Sequence, residues 1–254
     1  MSQSMLKAEA PAKKKSELRE TLVVIVEALI IALLFRTFLF QPFSIPTASM
    51  QSTLMIGDYF IASTYSWGYG KYSFPIALPF NGRIFGGTPE RGEVAVFRNE
   101  ITNEDYIKRI IGLPGDTIQM RDGRLYINDT LVERERIGEA MDTDSSTRAL
   151  PVTVYLETLP NGAQHTIQEI TDDGPLDDTA AYVVPAGHYF MMGDNRDRSQ
   201  DSRVLNMVGY VPFDSFIGKA EARFFSIEDN IPPWQLWEWP ANVRWDRMFQ
   251  FIHQ

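Results

Sequence analysis

The stretch "TLVVIVEALIIALLFRTFLF", residues 21–40, constrains this chain more than any other. It comes close to the roughly 20 predominantly apolar residues that a helix needs to cross a bilayer. Its apolar residues cover nearly every face, so a soluble protein would have to bury the helix on all sides. Two charges interrupt it. Arg36 is near the far end and can snorkel to the headgroups. Glu27 lies deeper and is costly unless it is protonated, tilted toward the interface or paired with another chain. Lys7, Lys13, Lys14, Lys15 and Arg19 precede the run, and that basic flank puts the N-terminus in the cytoplasm. A cleaved leader is the competing reading. The run is long for one, and "RTFLFQPF" follows where a small-x-small site would be needed. The expectation is a cytoplasmic tail over 1–20, an uncleaved anchor over 21–40, and everything later on the outer side.

Beyond the anchor the chain reads as β. "EVAVFRN" (93–99) is short and β-branched, and "DYIKRIIGL" (105–113) is dominated by apolar residues. "DTIQMRDGRLYINDTLVERE" (116–135) alternates around Asp122-Gly123, a hairpin signal. Further strands are expected in 180–194 and 219–227. No useful helical period occurs between 50 and 230. The fold class is therefore mainly β: a barrel-like or sandwich-like domain over 41–118 and 185–226, with an inserted β lobe over 119–184. The lobe's "DTDSS" and "TDDGPLDD" suit a solvent-facing surface. Residues 62–92 form a long irregular excursion rich in Gly, Pro and aromatics. Either it packs as a surface loop, or Trp67, Tyr69, Tyr72 and Phe74 enter the bilayer interface. The last segment, 227–254, holds four of the five tryptophans. Trp245, Met248, Phe249 and Ile252 recur at helical spacing and predict a short amphipathic helix, on the membrane or on the domain.

Composition removes several chemistries. The net charge of −9 disfavours nucleic acid, which needs clustered Lys and Arg. There is no cysteine, so a Cys nucleophile, disulfides and thiolate-held zinc are excluded. The histidines, His165, His188 and His253, are far apart and form no H-E-x-x-H. "GDNRDRSQDSR" (193–203) resembles a calcium loop only superficially, because Arg196 and Arg198 occupy the third and fifth positions. No metal and no cofactor is expected.

Serine chemistry survives. Thr47, Ser49, Ser52 and Thr53 crowd into "IPTASMQST", directly after the anchor. Capping of a short helical turn would account for these hydroxyls. There is no G-x-S-x-G elbow, and Ser49 lacks a lysine three residues on. His188 leaves a Ser–His pair formally open. Lys108 is the better base. It lies among Ile107, Ile110 and Ile111, and strand alternation points it the same way as Ile110 and opposite to Arg109. Burial on an apolar face disfavours the ammonium, and a neutral amine can take a proton from serine. Composition alone still favours a snorkelling lysine at a strand edge.

Three features together change that balance: "SIPTASM" after an anchor, "YIKRIIGLPGD" some sixty residues on, and "GDNRDRSQDSR" about ninety beyond. In order, spacing and topology the chain resembles bacterial type I signal peptidases, the leader peptidases of the serine–lysine dyad class, over roughly 20–226. The one-span N-terminus and aromatic tail look like alphaproteobacterial members. The resemblance implies Ser49 as nucleophile and Lys108 as general base. It implies Thr47 as an oxyanion donor where the family usually has serine, and Ser199 as the hydroxyl that orients the amine. Asp194, Arg196, Asp201 and Arg203 become structural supports, with Asp201 and Arg203 paired. Phe43, Ile45 and Ile107 become walls of shallow substrate pockets. Arg198 stands where the family commonly has Asn. The implied function is a membrane-bound endopeptidase. It would cleave signal peptides after small-x-small motifs through an acyl-enzyme, at the outer face of the bacterial cytoplasmic membrane. Its partners would be signal-peptide-bearing preproteins, the lipid bilayer and, by proximity, the export machinery. A specialised maturation protease and a non-catalytic single-span binding protein are the alternatives.

Overall fold

The structure, a computed structural model, describes residues 12–74, 77–142, 150–228, 231 and 234–252. Lys7 of the basic flank, most of "DTDSS" and His253 lie outside them. Helix α1, Ala12–Phe38, begins before the apolar run and ends two residues short of it. Leu39 leaves the helix and Phe40 opens the first strand, because the Thr64 hydroxyl and amide bond to the carbonyls of Thr37 and Leu39 and draw the chain onto the β domain. From 17 to 36 every side chain of α1 is exposed. Glu17–Phe38 is long and apolar enough to cross a membrane, and nothing among the described residues covers it.

The strands in chain order are β1 Phe40–Ser44, β2 Asp58–Ser63, β3 Val94–Asn99, β4 Glu104–Gly112, β5 Thr117–Arg121, β6 Arg124–Ile127, β7 Thr130–Leu131, β8 Glu133–Asp142, β9 Leu150–Thr158, β10 Gln164–Glu169, β11 Tyr182–Val183, β12 His188–Met192, β13 Val211–Pro212, β14 Phe216–Ser226 and β15 Gln250–Phe251. The fold is mainly β, as expected. One sheet runs β1-β2-β14-β3-β4-β12-β13, with β15 also on β14; a second runs β11-β5-β6-β7, and a third β10-β9-β8. All named pairings are antiparallel. The β5–β6 turn forms where Asp122-Gly123 predicts it, with φ of 47° and 67°, the left-handed pair that a two-residue hairpin requires.

The apolar residues of the large sheet form two buried clusters. One contains Ile45, Met50, Leu54, Phe60, Val96 and Ile217; the other contains Phe97, Ile110, Met191 and Phe216. Met50 and Leu54 come from the hydroxyl-rich loop itself. Each contributes on the order of 2 kcal/mol by burial, which fixes the loop to the sheet.

One choice left open narrows and one expectation changes. The described residues of the 62–92 excursion pack on the protein, as the surface-loop reading has it. Trp67 is 3% exposed, and its indole N–H donates to Glu93 Oε2 at 3.0 Å. Tyr69 donates its hydroxyl to the Phe38 carbonyl at 2.8 Å, and Phe38 also meets Phe74. The amphipathic helix expected from Trp245 to Ile252 does not form. In its place are a four-residue helix α2 (Trp239–Asn242), a single 3-10 turn over Trp245–Arg247, and β15. Arg244 and Arg247 turn inward to buried acceptors, while the Ile252 amide bonds to the Glu221 carbonyl alongside β14. Those bonds hold the backbone out of a helix.

Candidate active site

Ser49 sits in the middle of a 3-10 turn, Ala48–Met50, entered from β1. Thr47 occupies the capping position with extended backbone, but its side chain makes no capping bond. The hydroxyl instead lies 3.3 Å from Ser49 Oγ. Capping therefore leaves Thr47 unexplained.

Lys108 comes from the middle of β4. Its Nζ is 2.7 Å from Ser49 Oγ and donates to the Ile107 carbonyl at 3.0 Å. Both partners are buried, Ser49 at 7% and Lys108 at 4% exposure. Loss of hydration is the main cause that lowers the amine from the ordinary 10.5 to about 8. The Asp201 and Asp194 carboxylates oppose that shift, and the Arg203 guanidinium adds to it. A lysine with this pKa is partly neutral near pH 8 and can accept a proton. His188 caps its own turn through a 2.9 Å contact from Nδ1 to the Ala186 carbonyl.

The acidic segment 193–203 lies beneath the serine turn. Asn195 donates its amide to the Ser49 carbonyl at 3.2 Å and its side-chain N–H to the Ala48 carbonyl at 3.1 Å. Gly193 is pressed so close that a Cβ there would lie 2.2 Å from Ser199 Oγ and 2.4 Å from the Ser49 carbonyl oxygen. Ser199 is buried. Its hydroxyl lies near enough to the Asp201 carboxylate to favour ionisation, yet meets no partner in hydrogen-bond geometry.

The four charged supports are all buried and paired. Arg203 grips Asp201 with two N–H groups at 2.9 Å each, the expected pair. Asp194 is held by Arg109 at 2.8 and 2.7 Å, and Arg196 by Glu157 at 3.0 and 2.6 Å. The guanidinium beside each carboxylate keeps Asp194, Asp201 and Glu157 below the usual range against the burial that would raise them. Sequence reasoning missed Arg109 and Glu157. The alternation along β4 that exposes Lys108 to the serine is the one available signal for Arg109. Capping does not account for Ser52 and Thr53 either: Ser52 donates to the Thr166 carbonyl at 2.7 Å and Thr53 to Asp194 Oδ2 at 2.6 Å. These bonds join the serine loop to β10 and to the acidic segment.

A cleft of about 410 Å³ opens over the pair, lined by Pro46, Thr47, Ser49, residues 104–108, Arg198 and Gln200. Ile107 is in its wall. Ile45 is buried in the apolar cluster behind, against which Phe43 and Ile107 pack. Among the described residues no cluster of His, Asp and Glu could hold a metal.

The family profile described as "Signal peptidase, peptidase S26" matches residues 18–225. Signal peptidase I of Rickettsia typhi is 40% identical over 245 residues, 88% of this chain and 89% of its own length. The Rickettsia prowazekii protein is 39% identical over the same shares. Among solved structures, a signal peptidase I from Enterococcus faecalis V583 is 26% identical, covers 52% of this chain and 97% of its own, and has a TM-score of 0.32. With an apolar helix ahead of a β domain and a match over most of its length, the chain belongs to the signal peptidase family of serine peptidases, peptidase S26.

Proposed function

We propose that this protein cleaves signal peptides from exported preproteins with a Ser49–Lys108 dyad. The observation that carries the reading is the 2.7 Å approach of a buried lysine amine to a buried serine hydroxyl. Neutral Lys108 takes the Ser49 proton as Oγ attacks the carbonyl carbon of the scissile amide. The oxyanion so formed is met by the Thr47 hydroxyl and the Ser49 backbone N–H; one such donor typically supplies about 10²–10³ in rate. The Lys108 ammonium then protonates the departing amine, which leaves as the new N-terminus of the mature protein. The signal peptide stays as an ester on Ser49. Lys108 deprotonates a water, which attacks the ester, and Ser49 regains its proton as the carboxylate is released.

Ser199 orients the Lys108 amine during the reaction, and Asp201, paired with Arg203, supports the site. The substrate backbone pairs as an extended strand with 105–107 and with the end of β1. Small side chains before the cut face the shallow wall formed by Ile107, backed by Phe43 and Ile45. The anchor holds Ser49 some eleven residues past the helix end at Phe38, and the substrate is tethered in the same bilayer, which raises effective concentration. The basic flank orients the β domain to the outer side of the bacterial cytoplasmic membrane, beside the export machinery.

The test is cleavage of a preprotein in detergent by wild type, Ser49→Ala and Lys108→Ala. Both variants should keep the fold and lose cleavage. Processing by either one at the wild-type rate would end the dyad assignment.

A further inference from the structure

The backbone of the 62–92 excursion packs against the domain, yet one of its turns holds apolar side chains out. Ile84 is 50% exposed and Phe85 87%. Phe85 has a φ of 57°, a left-handed backbone that a bulky side chain adopts only under constraint. Neither burial nor backbone preference accounts for a phenylalanine there. The turn itself is held firmly. Arg83 donates to the carbonyls of Trp67 at 2.9 Å, Gly68 at 2.5 Å, Phe213 at 3.2 Å and Phe216 at 2.8 Å. Tyr69 and Ile84 exchange backbone bonds of 2.9 and 3.0 Å. Gly68 is pressed so close that a Cβ on it would lie 2.4 Å from the Ile84 carbonyl oxygen and 2.5 Å from that of Phe85. A turn fixed in this way carries its two apolar side chains at a set place.

That place is beside the end of α1. Tyr69, the backbone partner of Ile84, donates its hydroxyl to the Phe38 carbonyl at 2.8 Å, and its ring meets Phe38 edge-on with centroids 5.7 Å apart. The Thr64 amide donates to the Leu39 carbonyl, and the Tyr65 ring meets Phe40 edge-on. Residues 64–69 therefore line the exit of the helix, and the turn lies directly on 67–69. Phe38, Leu39 and Tyr65 are exposed as well, so unburied apolar side chains stand both at the exit and at the turn. Aromatic and large aliphatic side chains are favoured at the depth where a chain emerges from hydrocarbon.

We propose that Ile84 and Phe85 enter the headgroup–acyl boundary of the bilayer that α1 crosses, as a second fixed point beside the anchor. This rests on α1 as the anchor and on preproteins held in the same bilayer as substrates. A single helix leaves the β domain free to tilt about its exit. A second, rigid contact removes that freedom and sets the height of the Ser49 cleft above the membrane. Both side chains are apolar, so insertion is driven by burial and is little changed by salt. Loss of one buried phenylalanine ring weakens such a contact by about tenfold or more.

The chain has no cysteine, so one introduced cysteine takes one fluorophore. Ile30→Cys within α1, Phe85→Cys at the turn and Val183→Cys on exposed β11 are each labelled in the full chain. They are reconstituted into vesicles of phosphatidylcholine and phosphatidylglycerol, with and without bromine on the acyl chains. Bromine should quench the labels at 30 and 85 and spare the one at 183. Quenching at 85 no greater than at 183, with the label at 30 quenched, overturns the contact. A label at 85 shielded from water yet unquenched also overturns it, by placing a protein partner there. An unquenched label at 30 ends the anchor reading and the contact with it. Phe85→Asn removes the ring and keeps a residue suited to positive φ. It should raise KM for a preprotein in these vesicles about tenfold and cleave a short soluble peptide like wild type, and Phe85→Trp should restore the vesicle value. Equal loss on both substrates, or none on the preprotein, overturns the role in setting the cleft. Ser49→Ala run in parallel separates the claims: cleavage that survives it ends the dyad reading and leaves the quenching result standing.

Discussion

Thr53 donates its hydroxyl to Asp194 Oδ2 at 2.6 Å across 141 residues of sequence. The bond ties the loop that carries Ser49 to the acidic segment, and Arg109 completes it by contacting both residues. Three chain segments that are remote in sequence thus meet in one buried ionic layer under the serine. The site's rigidity comes from that layer as much as from the sheet. Charged groups there are fully paired, the condition under which burial of charge is tolerated.

The first prediction concerns pH. The Lys108 amine is lowered to about 8, chiefly by desolvation. Its neutral fraction is small at pH 6, one half near 8 and nearly complete by 9.5. Cleavage should therefore rise through an apparent midpoint near 8 and then level off. A pH–rate profile of kcat/KM checks this. A profile whose acid limb disappears in His188→Ala would instead make histidine the base.

The same shift predicts a gain in stability on removing the amine. The folded protein holds the Lys108 proton less tightly than the unfolded chain does, at about 8 against 10.5. Below pH 8 the ammonium is buried at a cost, and that cost fades as pH rises toward 10.5. Lys108→Met should abolish cleavage and raise stability by about 1–3 kcal/mol at pH 7. The difference should shrink above pH 10. Thermal melts of both proteins in one detergent across this range give the answer.

Gly193 is predicted to be irreplaceable for a steric reason. A methyl group there meets the Ser49 carbonyl oxygen at 2.4 Å, and backbone cannot yield without moving Ser49. Displacement by about 1 Å typically costs 10²-fold in rate. Gly193→Ala should fall by at least that much in kcat. Gly138→Ala, in β8 with nothing within 4 Å of the added carbon, should cleave like wild type.

How much of this is legible in the sequence depends on the range of the signal. The apolar helix, the β-branched strands and the Asp122-Gly123 turn are written in local spacing, and each forms close to where that spacing places it. The lysine's apolar neighbours are also local, but its approach to Ser49 becomes legible only through resemblance, because 59 residues intervene. Nothing local pairs Asp194 with Arg109 or Arg196 with Glu157, and although 119–184 reads as a β lobe, nothing local in β8 and β9 says that Glu157 reaches the acidic segment. Trp67 shows the converse. A Gly- and Pro-rich context reads as loop, yet the indole is core because one buried acceptor, Glu93, satisfies its N–H. The C-terminal helical spacing is real in the sequence and loses to two arginines with buried acceptors.

Those arginines carry the last prediction. Asp58 is fully buried and receives Arg247 at 2.7 Å, Arg223 at 3.3 Å and the Ser226 hydroxyl at 2.6 Å. Arg247 and Arg223 also donate to the Thr53 carbonyl, at 3.3 and 3.1 Å. The C-terminal segment therefore grips the loop four residues beyond Ser49. Burial pushes the Asp58 carboxyl up, but the bonds from Arg247, Ser226 and the Met55 amide together hold it below the usual range. Its stabilising contribution is present above the unfolded carboxylate pKa and is lost as pH falls through the lower folded value. Asp58→Ala leaves the guanidinium groups of Arg223 and Arg247 without their shared carboxylate and should cost about 3–5 kcal/mol. Arg247→Ala should cost less in stability but lower kcat more than it changes KM, with partial recovery in Arg247→Lys. Denaturant melts beside steady-state cleavage separate the effects. An Arg247→Ala enzyme with wild-type kcat would show that the segment braces the fold without positioning the serine.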